Sequence, residues 1–357
     1  MHQSRRSKLK LRARRAAAYA KTPVHWTPSI PTVLSVLFTV EILALAAFPE
    51  LIVNRFFIAF VGLSIPFGGW LIVYWKIYLS VFTMSPYGSP DEITDPRWHQ
   101  FKFLGWGGEQ MEAFMLKSET QSTDLALYLH GYGSNLGRGE TRCQHLASFG
   151  MNIVSLDQRG FGKQTGRIDW TLLKVIADAE AVLDAAPKQL GFTPDRLLIY
   201  GHSMGGFITI RLASHQSGWW EGRLMGIILE SPVTSFPKVI DEKLPGRMVM
   251  SKPWVRHVLR REYERIHPDL NVRYANSELP FWGLPEVPIL TLQSDKDEVL
   301  GRVHFDLLVE HLGPDKSTDS QICILDIPHS SGADMQIRRD VVDEWLGPRL
   351  TESKEDD

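Results

Sequence analysis

The chain has 357 residues, 44% of them hydrophobic and 22% charged, with a formal net charge of −2. That composition supports a substantial apolar core and excludes a chain disordered throughout. Two cysteines, Cys143 and Cys323, exclude a disulfide-stapled scaffold.

The near-neutral total hides a split. Residues 1–21 carry eight Lys or Arg and no Asp or Glu, which leaves residues 83–357 about ten charges acidic. An acidic domain behind a basic tail argues against nucleic acid as a partner. After the tail (1–29), two apolar stretches follow at 30–48 and 56–75, separated by Pro49–Arg55. Each approaches the ~20 residues needed to cross about 30 Å of hydrocarbon. Trp70, Tyr74, Trp75 and Tyr78 cluster at the end of the second, as an interfacial aromatic belt does. The expectation is a two-helix transmembrane hairpin over 30–78, with the bilayer as a partner. Glu41 is its costly residue, at roughly 2.5–3.5 kcal/mol near mid-membrane, unless it faces the second helix near Ser64. The positive-inside rule places the N-terminus, and after two spans the rest of the chain, in the cytoplasm. An Arg-rich, acid-free start also fits a mitochondrial targeting sequence.

Residues 83–97, rich in Pro, Gly, Ser and Asp, read as a linker. From there, strands are expected near 99–104, 111–117, 124–130, 151–156, 195–200, 224–230, 287–292 and 321–327. Helical patterns fall at 170–190, 205–215, 303–312 and 335–346. Strands alternating with helices after an initial set of strands imply an α/β fold, with a mostly parallel eight-stranded sheet covered on both faces by helices.

The ends of these strands carry the chemistry. The third runs into His130-Gly131-Tyr132-Gly133-Ser134-Asn135, and the fourth into Asp157-Gln158-Arg159-Gly160-Phe161-Gly162. The fifth runs into Gly201-His202-Ser203-Met204-Gly205, a Gly-x-Ser-x-Gly between a buried strand and a helix. The glycines permit a turn too tight for side chains, and its strain exposes the Ser203 hydroxyl. A nucleophilic serine needs a base, and the base an acid to orient it. The seventh strand leads to Gln293-Ser294-Asp295-Lys296-Asp297-Glu298, and the eighth to Pro328-His329-Ser330. The expected triad is Ser203, Asp297 and His329, with Asp295 and Glu298 as rival acids. Backbone N–H groups of Tyr132 and Met204 are the expected oxyanion donors, a type of contact worth roughly 2.7–4 kcal/mol in a transition state. Asp157 and Arg159 are read as holding their own loop, by pairing or by hydrogen bonds. His130 and His202 are read as structural. No histidine spacing matches a metal motif such as H-E-x-x-H, so neither metal nor cofactor is expected.

Between the sixth and seventh strands lies an insertion, 232–287. Its Ser251-Lys252-Pro253 reads as a helix start, with Trp254, Val255, Val258, Leu259 and Tyr263 on one face and arginines largely elsewhere. It is either an amphipathic lid over an acyl chain or a helix packed on the domain. Met248, Trp254 and Val258 are its candidate substrate contacts. Trp219-Trp220 reads equally as a membrane-facing edge or as packing. Residues 349–357 are expected to be a charged, disordered tail.

Residues 98–348, through HGYGSN, DQRGFG, GHSMGG, SDKDEV and PHS, resemble the α/β-hydrolase superfamily, and most of all its monoglyceride lipase, lysophospholipase and serine aminopeptidase-like (S33-type) branch. The resemblance implies a serine hydrolase with a small helical cap at 232–287, acting on carboxylic esters, foremost monoacyl lipid esters such as monoacylglycerols or lysophospholipids. A thioesterase or peptidase using the same triad, and an inactive membrane scaffold, are the alternatives. Two positions depart from the family's pattern: Lys163 where a serine is frequent, and Gln293-Ser294 where His-Gly often precedes the acid.

Overall fold

The computed structural model describes residues 91–120, 122–164, 172–243, 284–312, 319–330 and 336–351, with isolated positions between 39 and 69. The apolar stretches 30–48 and 56–75 therefore lie almost wholly outside the described residues, as do Met248, Trp254 and Val258. Among the described residues no helix is long and apolar enough to cross a membrane.

Eight strands form one sheet: β1 (His99–Leu104), β2 (Gln110–Leu116), β3 (Leu125–Leu129), β4 (Asn152–Leu156), β5 (Leu197–His202), β6 (Leu224–Glu230), β7 (Ile289–Ser294) and β8 (Ser320–Leu325). Their order across the sheet is β1-β2-β4-β3-β5-β6-β7-β8. The first two contacts, β1 with β2 and β2 with β4, are antiparallel, and every later one is parallel. Each expected strand is present, with ends shifted by three residues or fewer.

Six helices are described around the sheet: α1 (Leu136–Cys143), α2 (Leu172–Leu190), α3 (Met204–Ser214), α4 (Phe236–Lys243), α5 (Val303–Leu312) and α6 (Gln336–Thr351). Helix α1 escapes the apolar pattern because its sequence, LGRGETRC, is short and polar. It forms because Asn135 caps it, its side chain accepting the Arg138 N–H, and because Glu140 and Arg142 are buried with partners.

Alternation along the central strands divides the core in two. Leu127, Ile199 and Ile227 face α2, α3 and α5 through Val182, Phe207 and Leu308. Tyr128, Leu198, Tyr200 and Ile228 face α1 and α6 through Leu136, Trp345 and Leu346. Strands covered on both faces read as unbroken apolar runs, which is why LLIYG and MGIILE show no period of two. The end of the expected linker is fastened down. Thr94 and Asp95 donate their N–H groups to Glu140, each at 2.8 Å. Trp220 is fully buried and the Trp219 indole N–H donates to the Leu183 carbonyl at 2.7 Å, so this pair packs into the domain.

Candidate active site

The parallel strands deliver their C-terminal ends to one edge of the sheet, the edge where α/β sheets place their ligands. At β5 the chain turns abruptly into α3. Ser203, at the apex, has φ 53° and ψ −116°, a region that costs a non-glycine residue about 1–3 kcal/mol. The strain is held on both sides: Ser203 donates its N–H to the Glu230 carbonyl at 2.8 Å and accepts Val233 N–H at 2.9 Å. Gly205 is required by close approach, since a Cβ there would run into the Leu129 carbonyl. Gly205→Ala is therefore expected to destabilise the protein by about 1–3 kcal/mol, measurable as a lower urea midpoint at unchanged slope; an unchanged midpoint would remove the steric argument.

The hydroxyl of Ser203 lies 3.0 Å from His329 Nε2. On the other side of the ring, His329 Nδ1 lies 2.8 Å from Asp297 Oδ2. A carboxylate only accepts, so Nδ1 carries the proton and Nε2 is left as the acceptor for the serine hydroxyl. Asp297 Oδ1 accepts the Val299 and Leu300 N–H groups at 3.0 and 2.7 Å. Burial works against its ionisation, but the His329 and backbone hydrogen bonds outweigh it and hold the carboxyl below its ordinary range. Asp295 and Glu298 stay exposed, so the turn after β7 presents only Asp297 to the histidine.

The two departures from the family pattern both serve the loops. Gln293 Nε2 donates to Asp297 Oδ2 at 3.3 Å, and the Ser294 hydroxyl donates to the Ile327 carbonyl at 2.6 Å, holding the chain that carries His329. The Lys163 N–H donates to Asp157, whose other oxygen accepts the Leu136 N–H at 2.8 Å. Asp157 and Arg159 do not pair with each other. Asp157 fastens the start of α1, and Arg159 is buried against Asp178 at 2.6 Å and bound to Glu109.

Met204 opens α3, so its N–H has no acceptor within the helix and lies next to Ser203. The loop holding Tyr132 follows β3 at the same edge; its ring packs edge-on against Phe161 with 5.6 Å between centroids and is half exposed. His130 is fully buried. Its Nε2 accepts the Gln158 N–H at 2.9 Å, which leaves Nδ1–H to donate to the Gly131 carbonyl at 2.7 Å. Burial keeps that ring neutral, depressing its pKa. His145 sits in a 3-10 turn (Gln144–Phe149) rather than a regular helix, while His304 and His311 lie on α5. Among the described residues no group of three or more His, Cys, Asp or Glu is placed to hold a metal ion.

Beneath the elbow lies a polar cluster that sequence reasoning missed. Glu230, at the end of β6, is buried between Arg142 at 3.0 Å and Arg338 at 3.2 Å, and accepts the Tyr200 hydroxyl at 2.5 Å. Burial opposes its charge, yet the two guanidinium groups hold the carboxyl well below the ordinary range. The one signal available was a glutamate closing the otherwise apolar run Leu224–Leu229.

Comparison with known proteins bears on the fold. Residues 120–286 match the family model described as serine aminopeptidase, S33. Protein bem46 of Schizosaccharomyces pombe is 24% identical over 248 residues, 65% of this chain and 73% of that protein. An esterase structure from Pyrococcus furiosus aligns at TM-score 0.54 and 17% identity over 75% of this chain and 97% of its own. An alpha-beta hydrolase from Vibrio vulnificus aligns at TM-score 0.50 and 18% identity over 71% of this chain and 81% of its own. The chain has the α/β-hydrolase fold, and its residues 120–286 are similar to the S33 serine aminopeptidase family.

Proposed function

We propose that the protein is a serine hydrolase that cleaves carboxylic esters through Ser203, His329 and Asp297, with monoacyl lipid esters as its substrates. The observation that carries this reading is the pair of hydrogen bonds running from Ser203 Oγ through His329 to Asp297. In the mechanism, His329 Nε2 takes the hydroxyl proton as Oγ attacks the carbonyl carbon. Asp297 holds the ring and stabilises the imidazolium, while the N–H groups of Met204 and Tyr132 receive the oxyanion. The tetrahedral intermediate collapses with its alcohol leaving on the proton from Nε2. Water, deprotonated by the same nitrogen, then releases the acid from the acyl-enzyme.

The lipid part of the proposal is supported by the sequence at the front of the chain. Two uncharged or nearly uncharged stretches, 30–48 and 56–75, would anchor the protein in a bilayer, with the basic tail and the hydrolase domain on the cytoplasmic side. The segment 251–265, with Trp254 and Val258 on its apolar face, would cover the acyl chain.

The test is hydrolysis by detergent-solubilised full-length protein across short to long acyl esters, including monoacylglycerols and lysophospholipids. Serine-dependent turnover that rises with chain length is the expected result. Activity confined to short esters, to acyl thioesters or to amino-terminal peptides would replace the lipid substrate with those classes. No serine-dependent turnover in folded protein would leave a membrane scaffold as the better reading.

A further inference from the structure

The residue before the nucleophile reaches past it to the residue that carries the base. His202 Nε2 lies 2.8 Å from the backbone carbonyl of His329, and the two rings stand 5.2 Å apart at 49°. A carbonyl only accepts, so His202 carries its proton on Nε2. Its Nδ1 is buried without a hydrogen-bond partner among the described residues and faces Gly131 so closely that a Cβ there would come within 2.9 Å of it. One imidazole thus touches the turn that bears His329, the elbow that bears Ser203, and the first glycine of the loop that bears Tyr132.

We propose that His202 is a positioning residue for the hydrolytic reaction, its Nε2–H holding the His329 carbonyl so that the His329 ring stays in line with Ser203 and Asp297. The proposal rests on the serine-hydrolase reading above. Its physical basis is the way the His329 turn is held. Among the described residues two side chains fasten that turn's carbonyls: Ser294 at Ile327, at 2.6 Å, and His202 at His329 itself. An imidazole that must accept a proton from one partner while keeping a bond to another tolerates little drift. Misplacement by about 1 Å costs on the order of a hundredfold in rate.

The surroundings suit this task. Burial, reinforced by the Arg142 charge, holds the His202 pKa well below the ordinary histidine value, with Glu230 the main opposing influence. A neutral ring at this point means that the imidazolium formed on His329 during attack does not face a second cation 5.2 Å away. The same Glu230 accepts the Ser203 N–H through its carbonyl, so nucleophile and base are both braced from one corner of the sheet.

The test uses full-length protein carrying His202→Leu or His202→Gln, assayed with p-nitrophenyl butyrate, with thermal unfolding measured in parallel. Glutamine sets an N–H donor near the place of the imidazole Nε2, whereas leucine removes it. The expected result is a loss of roughly 10- to 100-fold in kcat for His202→Leu at nearly unchanged KM, with most of the rate restored in His202→Gln. Equal losses in both variants, tracking the fall in melting temperature, would assign His202 to packing alone and overturn the proposal. So would a leucine variant as fast as wild type. A second measurement needs no variant: 15N-imidazole spectra of the wild type must show His202 as the Nε2–H tautomer, and the Nδ1–H form would refute the bond. Absence of any Ser203-dependent turnover in the wild type would remove the hydrolase reading itself, an outcome distinct from the others.

Discussion

Ser203→Ala is expected to lower ester hydrolysis by roughly 10⁴- to 10⁶-fold, the scale at which removal of a nucleophile disables a coupled triad. It should also abolish labelling by a fluorophosphonate probe while leaving the fold intact. The argument is geometric. His329 Nε2 is placed to accept a proton from the Ser203 hydroxyl 3.0 Å away, and Asp297 fixes the tautomer that makes this possible. The elbow adds a second, independent readout. Ser203 occupies φ 53°, where any Cβ is strained, so Ser203→Ala should change stability little while Ser203→Gly should gain about 1 kcal/mol or more by relieving the strain. Retained turnover in the alanine variant would end the serine-hydrolase reading. A glycine variant no more stable than the alanine one would show that the elbow holds no strain.

The largest effect on stability is expected at Glu230. Replacing it by alanine leaves Arg142 and Arg338, both almost fully buried, without their shared carboxylate. Breaking a buried ion pair by removing one partner costs about 3–5 kcal/mol, because the remaining charge stays desolvated. For a domain of this size that corresponds to roughly 10 °C in melting temperature. The pH dependence has a definite sign. The native carboxyl is held below its ordinary value, so the stabilisation it contributes is complete above the unfolded glutamate pKa and is lost as pH falls below that value toward the depressed one. Wild type minus Glu230→Ala should thus be constant near neutrality and shrink under acid conditions. A difference below 1 kcal/mol at pH 7, or one that grows on acidification, would contradict the buried-triad account. Activity should fall as well, since the Glu230 side chain offsets the Arg142 charge beside His202 and holds Arg142 and Arg338 next to the turn that bears Ser203.

These two residues also mark the boundary between what the chain announces and what it conceals. Ser203 was legible because a strained turn demands glycines at fixed offsets, and that demand is written locally. Asp297 and His329 were legible for a related reason: strand ends in a parallel sheet deliver loops to one edge, so an acid after β7 and a histidine after β8 have to converge. The choice among Asp295, Asp297 and Glu298 was not local. It was settled by the turn in which Val299 and Leu300 donate to Asp297 and point it inward, while its neighbours remain in water. Helix α1 was missed because it is held by capping and by buried charges with distant partners, neither of which produces an apolar period.

By itself, then, the sequence determined the alternation of strands and helices, the mostly parallel eight-stranded architecture and the candidates Ser203 and His329 for nucleophile and base, since apolar runs and glycine-bounded turns are properties of contiguous residues. Only the tertiary structure decided which acid faces His329, that Trp219-Trp220 packs inward, and that Glu230, Arg142, Arg338 and His202 form a braced corner beneath the site. Those outcomes depend on groups 32 to 127 residues apart in the chain meeting in a medium without water. There a charge survives only beside its partner, and no local pattern records who that partner is.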